Sequence, residues 1–498
     1  MENRETALPL QTGAVKNPIL RRSATRRLNP KTGLTVTYSD DTAFGSTVSG
    51  RCEWGLRERY ADLYAYRKEH GLARMVKNAT EILGRLLPRC LEGLYMTPGR
   101  LRVDWLYPDP TLVRPMELCV LRNICDVVAR IPLSGTLSAD LARYLGDWEI
   151  GSKPPGAREA RELWDALVEA GALLVPQEQD RVSAERRPGV NFVGHATLGI
   201  DDGDSRLLID PYLVPKSSLY PVEWQPPSLS ELGLQDAVLV THSHPDHFDP
   251  GTLLRCGADT PIYVPAVERE SVLTIDMVAR LRELGFSKVH GVEDWNAFSV
   301  GGIRVRAMPF YGEQPTVGER LHPEIRNQGA TFLVEAAGSR LAVLADAGSD
   351  LSGDVRNLAS LAREQHGPID VLFGGYRGFG LYPVQYVFSS VSRYLPFVPP
   401  QNWGERQQIM CDADDLIDAA ERWHADRVVP YAAGGAPWFW LRGLGPCLDE
   451  SMPNAVSTDL PPEYVAEVAA RRASTPTDGP ITSPVAVDPM RVGNSLYF

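Results

Sequence analysis

Thr241-His242-Ser243-His244-Pro245-Asp246-His247 sets three histidines and an aspartate within six positions, in a chain of 498 residues that has only nine histidines. Just before it, Ala237-Val238-Leu239-Val240 is apolar and β-prone. That run is expected to be a buried parallel strand ending at Thr241. Pro245 forbids a continuing strand, so the four side chains fall on a tight loop at the strand's carboxyl end, where open α/β architectures place their sites. Imidazole nitrogens and carboxylate oxygens are ligands for zinc, iron, manganese or nickel. A polar turn with incidental histidines is the plainer alternative, and the clustering of so scarce a residue speaks against it.

The rest of the chain bounds what this loop can serve. Its length calls for two or three domains. A hydrophobic content of 43% and a charged content of 23% are those of a globular protein. The net charge of −12 favours solubility and argues against a nucleic-acid surface. Met1 to Gln11 is polar and Asn17 to Arg27 is basic without an apolar core, so no signal peptide is expected. No stretch approaches the ~18–20 apolar residues that span a bilayer. The cysteines (Cys52, Cys90, Cys119, Cys125, Cys256, Cys411, Cys447) are scattered and form no C-x-x-C pair, as expected of reduced thiols in a cytoplasmic protein.

Residues 1–187 form a first region, expected to be a mostly helical α+β accessory domain for dimerisation or partner docking. Leu34 to Tyr38 has strand character. Glu53 to Leu94, Val113 to Ile131 and Ala157 to Leu173 carry apolar residues at helical spacing, and Leu173 to Pro176 follows as a short strand. A winged-helix DNA reader is disfavoured, because no basic stripe is evident. The charged run Gln177 to Arg187 marks the boundary. Residues 188–445 then alternate strands and helices. Strands are expected at Val190–Thr197, Arg206–Pro211, Pro261–Pro265, Ile303–Met308, Thr331–Glu335, Arg340–Ala345, Asp370–Phe373 and Asp426–Tyr431. Helices are expected at Ser271–Leu284, Val355–Gln365 and Asp412–His424. Residues 446–498, rich in Pro, Ser, Thr and Asp, are expected to be a surface strap or partly disordered tail with a helix at Glu463–Arg472.

These units, together with the His-x-His-x-Asp-His loop, Gly194-His195-Ala196-Thr197 and Ile209-Asp210-Pro211, resemble the metallo-β-lactamase fold, an αββα sandwich with metals at one edge. In hydrolases of that fold a further histidine completes the first metal site, an aspartate bridges, and a late histidine completes the second. Here Pro309-Phe310-Tyr311-Gly312-Glu313-Gln314 offers Glu313 at the first of these positions, with Glu319, His322 and Glu324 as rivals nearby. Asp346 fits the bridge, with Asp350 as rival. At the late position, after Val428-Val429-Pro430-Tyr431, stands Ala432: the histidine is missing. The ligand set implied is His242, His244 and Glu313 for one metal, Asp246 and His247 for the other, with Asp346 bridging. His195 and Asp210 are expected to orient ligands from behind.

Three carboxylates beside three imidazoles make a hard site, which suits two irons better than two zincs. The pattern is similar to the dinuclear non-haem iron oxygenases typified by the chloramphenicol-pathway β-hydroxylase. The resemblance implies a monooxygenase that hydroxylates an amino acid, at its β carbon and tethered to a peptidyl carrier protein, in antibiotic biosynthesis. It also implies two Fe ions, O2 as co-substrate and an external electron donor such as a reductase or ferredoxin, since neither a flavin fingerprint nor Fe–S cysteine spacing is present. Tyr311, Tyr376 and Arg377 are expected on loops at the same edge as substrate contacts. The alternative is a two-zinc hydrolase acting on phosphodiesters or lactones, which prefers histidine at positions 313 and 432. A regulatory protein on a relict fold is disfavoured by the intact loop. No nucleic acid and no membrane is expected as a partner, and a homodimer stays open.

Overall fold

The computed structural model describes residues 25–38, 65–82 apart from 68, 72 and 80, 95–97, 100–101, 107, 115–123, 126–176, 187–213, 227, 229–315 apart from 272, 325–432 apart from 378, 379, 381, 389 and 390, 462–474 and 485–498. The N-terminal part holds an antiparallel sheet of β1 (Gly33–Tyr38), β2 (Met116–Asn123) and β3 (Asp126–Leu133). It continues into α1 (Leu141–Ile150) and α2 (Arg158–Glu169). The helix expected over Val113–Ile131 is therefore a β-hairpin, with Met116 opposite Leu133 and Leu118 opposite Ile131. Leu118, Cys119, Val120 and Leu121 are all buried, so the run is apolar on both faces and carries no period. Length and β-branched content decide such runs, and Val120, Val127, Val128 and Ile131 favour strand.

Two seven-stranded sheets follow. The first takes β4 (Gly189–Gly194), β5 (Thr197–Asp201), β6 (Arg206–Ile209), β7 (Ala237–Leu239), β8 (Ile262–Pro265) and β9 (Val289–Val292), each beside the next. Strands β4 to β6 run antiparallel and β6 to β9 parallel. The single strand expected over Val190–Thr197 is instead two, reversed at His195-Ala196, where His195 has φ +50°. The second sheet takes β10 (Ala297–Val300), β11 (Ile303–Pro309), β12 (Ala330–Ala336), β13 (Ser339–Val343), β14 (Val371–Gly375), β15 (Arg427–Tyr431) and β16 (Ala486–Val487), in that order. Strand β17 (Ser495–Tyr497) pairs antiparallel with β4 and closes the first sheet. The tail thus supplies an edge strand to each sheet, which its polar composition did not announce.

Helices α3 (Pro250–Cys256) and α4 (Met277–Glu283) lie on the first sheet's side. The second helix is half the length expected, because Ser271 to Thr274 closes on the Ser271 hydroxyl and Asp276 caps the turn after it. Helices α5 (Val355–His366), α6 (Ala413–Trp423) and α7 (Glu463–Ser474) cover the second sheet. Phe192, Leu198, Leu207 and Leu239 meet Val305, Phe332, Val343 and Phe373 between the sheets. The layers make an αββα sandwich.

On the outer face of the first sheet, Val238, Val240 and Ile262 share one apolar cluster with Leu34, Leu118, Leu145 and Trp164. The N-terminal elements are therefore packed onto the sheet that carries the histidine loop. The approach is closest at Gly251 on α3, where a Cβ would collide with the Leu34 carbonyl. Trp164 is fully buried, its ring set edge-on to Trp148 at 5.1 Å. Trp164→Ala is expected to destabilise the protein by about 3–5 kcal/mol, read as a shift of the denaturant midpoint.

Candidate metal centre

The side chains singled out in the sequence come together where strands end. Asp210 follows β6, the histidine loop follows β7, Glu313 follows β11 and Asp346 follows β13. The loop is wound around Pro245: the backbone N–H groups of His247 and Phe248 both donate to the His244 carbonyl, at 3.0 and 2.7 Å. Gly312 (φ +85°) and Glu313 (φ +48°) are consecutive left-handed residues that turn the glutamate inward, and the Glu313 N–H donates to the Ile409 carbonyl at 2.6 Å. The glycine takes this conformation freely, whereas the glutamate pays a strain of about 1 kcal/mol or more.

Asp210 is the hub. It accepts from the Thr241 backbone N–H at 2.7 Å, the Thr241 hydroxyl at 2.6 Å and His247 Nδ1 at 2.8 Å. The single Thr241 proton goes to Asp210, so His242 Nδ1, 3.0 Å from that hydroxyl, is the donor to it. A proton on each Nδ1 turns Nε2 of both His242 and His247 inward. His244 Nε2 is bonded to the Tyr394 hydroxyl at 2.7 Å, which turns Nδ1 inward. Outer partners that fix the tautomer in this way are typical of metal-ligating histidines.

The inward atoms then face one another at close range. His242 Nε2 lies 2.8 Å from His244 Nδ1, and Glu313 Oε2 lies 3.4 and 2.5 Å from these two nitrogens. His247 Nε2 lies 3.3 Å from Asp346 Oδ2, and His195 Nε2 lies 3.0 Å from Asp246 Oδ2. Among the described residues, Asp246 Oδ1, His247 Nε2, Glu313 Oε2 and Asp346 Oδ1 are buried with no hydrogen-bond partner. Three groups have ligand atoms all within 4.8 Å of one another: His242, His244 and Glu313; His242, His247 and Asp346; His195, Asp246 and His247. Buried carboxylates and imidazoles gathered this closely, several of their atoms without a hydrogen-bond partner, are costly alone and favourable around cations. The donor set fits two metal ions.

The local field has the sign a cation needs. Burial, with the neighbouring His247 and His244, lowers His242 to a pKa of about 4, so it is a neutral ligand at pH 7. Burial by itself would lower His247, yet Asp346 and Asp210 outweigh it and raise it well above the usual value. Asp346 is brought down to about 2 against the effect of burial, chiefly by His247. Asp246 falls well below the ordinary range despite burial, through the His195 bond and the charge of His247. Glu313 is raised by burial, which its approach to His242 offsets only in part.

Asp350, the rival to Asp346, is committed elsewhere, to Arg326 at 2.6 Å and the Gly312 N–H at 2.9 Å. Glu319, His322 and Glu324, and the Trp438-Phe439-Trp440 run, lie outside the described residues. Of the three expected substrate contacts, Tyr376 is fully buried in the apolar cluster under the second sheet's helices, and Tyr311 packs against that cluster. Those rings serve the fold there. Arg377 is buried close enough to Glu313 for its charge to oppose the upward shift of that carboxyl. Tyr394, on the 3₁₀ helix Ser392–Phe397, was not foreseen: it lies 150 positions from His244 and sits in no motif. No helix among the described residues is long and apolar enough to cross a membrane.

Residues 189–431 match the β-lactamase superfamily domain. Over 352 residues the chain is 28% identical to a 3-hydroxylase of Streptomyces venezuelae whose substrate is a 4-amino-L-phenylalanyl group on the CmlP peptidyl carrier protein. That match covers 69% of this chain and 60% of the relative's length. The fold superposes on the crystal structure of CmlA, a diiron β-hydroxylase from Streptomyces venezuelae, with a TM-score of 0.57 at 17% identity, covering 96% of this chain and 100% of that one. A glutamate-to-aspartate variant of CmlA β-hydroxylase gives a TM-score of 0.55 at 17% identity, with 95% and 100% covered. At that identity the structural likeness speaks for the fold. The metallo-β-lactamase fold and the resemblance to the diiron β-hydroxylases, both expected from the motifs, are borne out.

Proposed function

From a metallo-β-lactamase-fold domain that resembles the diiron β-hydroxylases, we propose that this chain is a dinuclear iron, O2-dependent monooxygenase. Its substrate is an amino acid carried on a peptidyl carrier protein and hydroxylated at the β carbon, in natural-product biosynthesis. The observation that carries the proposal is Glu313. A carboxylate oxygen stands 2.5 Å from His244 Nδ1 at the position where a zinc hydrolase of this fold has a third imidazole. With Asp246 and Asp346 it makes three carboxylates, a hard donor set suited to iron that changes oxidation state.

The metal pair, when bound, supplies the activation of dioxygen. In the overall reaction one oxygen atom enters the C–H bond. The other leaves as water, with two electrons from an external reductase or ferredoxin and two protons from solvent. The protein's part is to hold and exclude. His242, His244 and Glu313 would hold one metal and Asp246 and His247 the other, with Asp346 available to both. Asp210 fixes the Nδ1 proton of His247 and, through Thr241, that of His242, and Tyr394 bonds His244 Nε2. The apolar layers on both sides keep water from the ligands. Arg377 would neutralise an anionic group of the substrate. The N-terminal elements, packed behind the histidine loop, offer the extra surface that a docked carrier domain needs.

The test is metal content after expression with iron and zinc both supplied, followed by dioxygen uptake with reduced protein and aminoacyl carrier proteins. About two irons per chain and uptake coupled to a mass gain of one oxygen atom are expected. Two zincs with hydrolysis of a phosphodiester or lactone and no uptake would replace this reading by the hydrolase.

A further inference from the structure

The second metal position lacks its late histidine. Ala432, at the end of β15, occupies the position of the late ligand with a buried methyl group and φ +58°. Residues 433–461, which follow it, contain no histidine. Of the remaining histidines among the described residues, His290 stacks on Tyr263, His366 lies beside Trp295, His424 bonds Arg363, and His70 packs on Tyr66; His322 lies outside them. His195 is different. It is buried, its Nε2 is 3.0 Å from Asp246 Oδ2, and its ring centroid is 5.7 Å from that of His247. It is a member of the group His195, Asp246 and His247 whose ligand atoms lie mutually within 4.8 Å.

The backbone is bent to put it there. His195 sits at φ +50° directly after Gly194 at φ +154°, where the β4–β5 register shifts. A non-glycine residue in the left-handed region carries about 1–3 kcal/mol of strain and persists where its surroundings hold it. The reversal aims the imidazole across the sheet edge at the second metal's carboxylate. Among the described residues, a ring that only oriented Asp246 would leave that metal with Asp246, His247 and the bridge Asp346.

We propose that His195 is the imidazole ligand that replaces the missing late histidine, binding the second metal through Nε2 beside Asp246 and His247. The inference rests on the dinuclear reading above, though not on which metal or which reaction.

Cobalt(II) titration of the metal-free full chain tests it. The wild type is expected to take two equivalents. His195→Gln keeps a side-chain donor for Asp246 and is expected to keep one equivalent, with the second weakened by more than about 100-fold, beyond the ~10–100-fold that an outer partner costs. Adding Ala432→His to that variant is expected to restore the second equivalent. A His195→Gln protein that binds both equivalents as the wild type does would overturn the proposal, as would a wild type that takes only one. Should the variant not fold, NMR of the cobalt-loaded wild type decides. Four paramagnetically shifted, exchangeable imidazole N–H signals are expected, from His195, His242, His244 and His247, and three would overturn it. Two bound cobalt ions with no dioxygen chemistry in the iron form would sink the oxygenase and leave this ligand standing.

Discussion

Glu313→Ala is expected to leave the metal-free protein about as stable as the wild type, within ~1 kcal/mol, while removing turnover and one of the two metals. The two halves of this result have separate causes. Without a cation, the Glu313 carboxyl is buried, and its Oε2 accepts no hydrogen bond. Burying such a group is unfavourable, so deleting it relieves a cost. With a cation, the same oxygen is the only carboxylate placed against both His242 Nε2 and His244 Nδ1 among the described residues. Losing even the outer partner of a ligand weakens metal binding by about 10–100-fold, so loss of the ligand itself should exceed that. Melting curves with and without iron, beside metal analysis and dioxygen uptake, check it. A variant that keeps both metals and full turnover would remove Glu313 from the ligand set.

Asp210→Ala is expected to show the opposite signature, a large loss of stability whether or not metal is present. Its carboxylate takes three donors at 2.6 to 2.8 Å, and all of them are buried. Alanine would strand the Thr241 N–H, the Thr241 hydroxyl and His247 Nδ1 together. Removing one partner from a buried charged network costs about 3–5 kcal/mol. Metal affinity should fall too, because Thr241 would no longer direct its hydroxyl and His242 and His247 would lose the proton placement that turns their Nε2 atoms inward. Chemical denaturation of the metal-free variant, compared with Glu313→Ala, separates a residue that builds the site from one that only occupies it. A shift under 1 kcal/mol for Asp210→Ala would contradict the hub role.

How much of this was legible in the sequence follows from where the information lies. The histidine loop was readable because its four side chains are neighbours in the chain and the strand before it is uniformly apolar. Asp346 and Glu313 were readable as ligand-capable residues just past buried strands. What separates Asp346 from Asp350 is spatial: Arg326 engages the latter, while Asp346 lies with His242 and His247. The outer partners had uneven visibility. Asp210 stands in a motif, whereas Tyr394 reaches His244 from a helix-like turn with no local signature. His195 was expected behind the ligands, and only the reversal at Gly194-His195 brings its Nε2 against Asp246. The hairpin at 116–133 was misread as helix because Leu118 to Leu121 in its first strand are all buried, which erases there the alternation that marks a strand. The edge strands β16 and β17 were missed because two or three residues are too few to carry a period.

Those last short strands bear on the order of events during synthesis. On its free side β4 is stitched by residues 493–498: Phe192 N–H donates to the Asn494 carbonyl at 2.9 Å and Gly493 N–H to the Phe192 carbonyl at 2.6 Å. The strand that delivers His195 therefore has an open edge until some three hundred later residues have emerged from the ribosome. An exposed strand edge is a template for pairing with other chains, and partly made multidomain proteins are prone to such errors. The nascent chain passes through a long interval in which its metal-site sheet is formed but unsealed, and completing the tail is what ends that vulnerability.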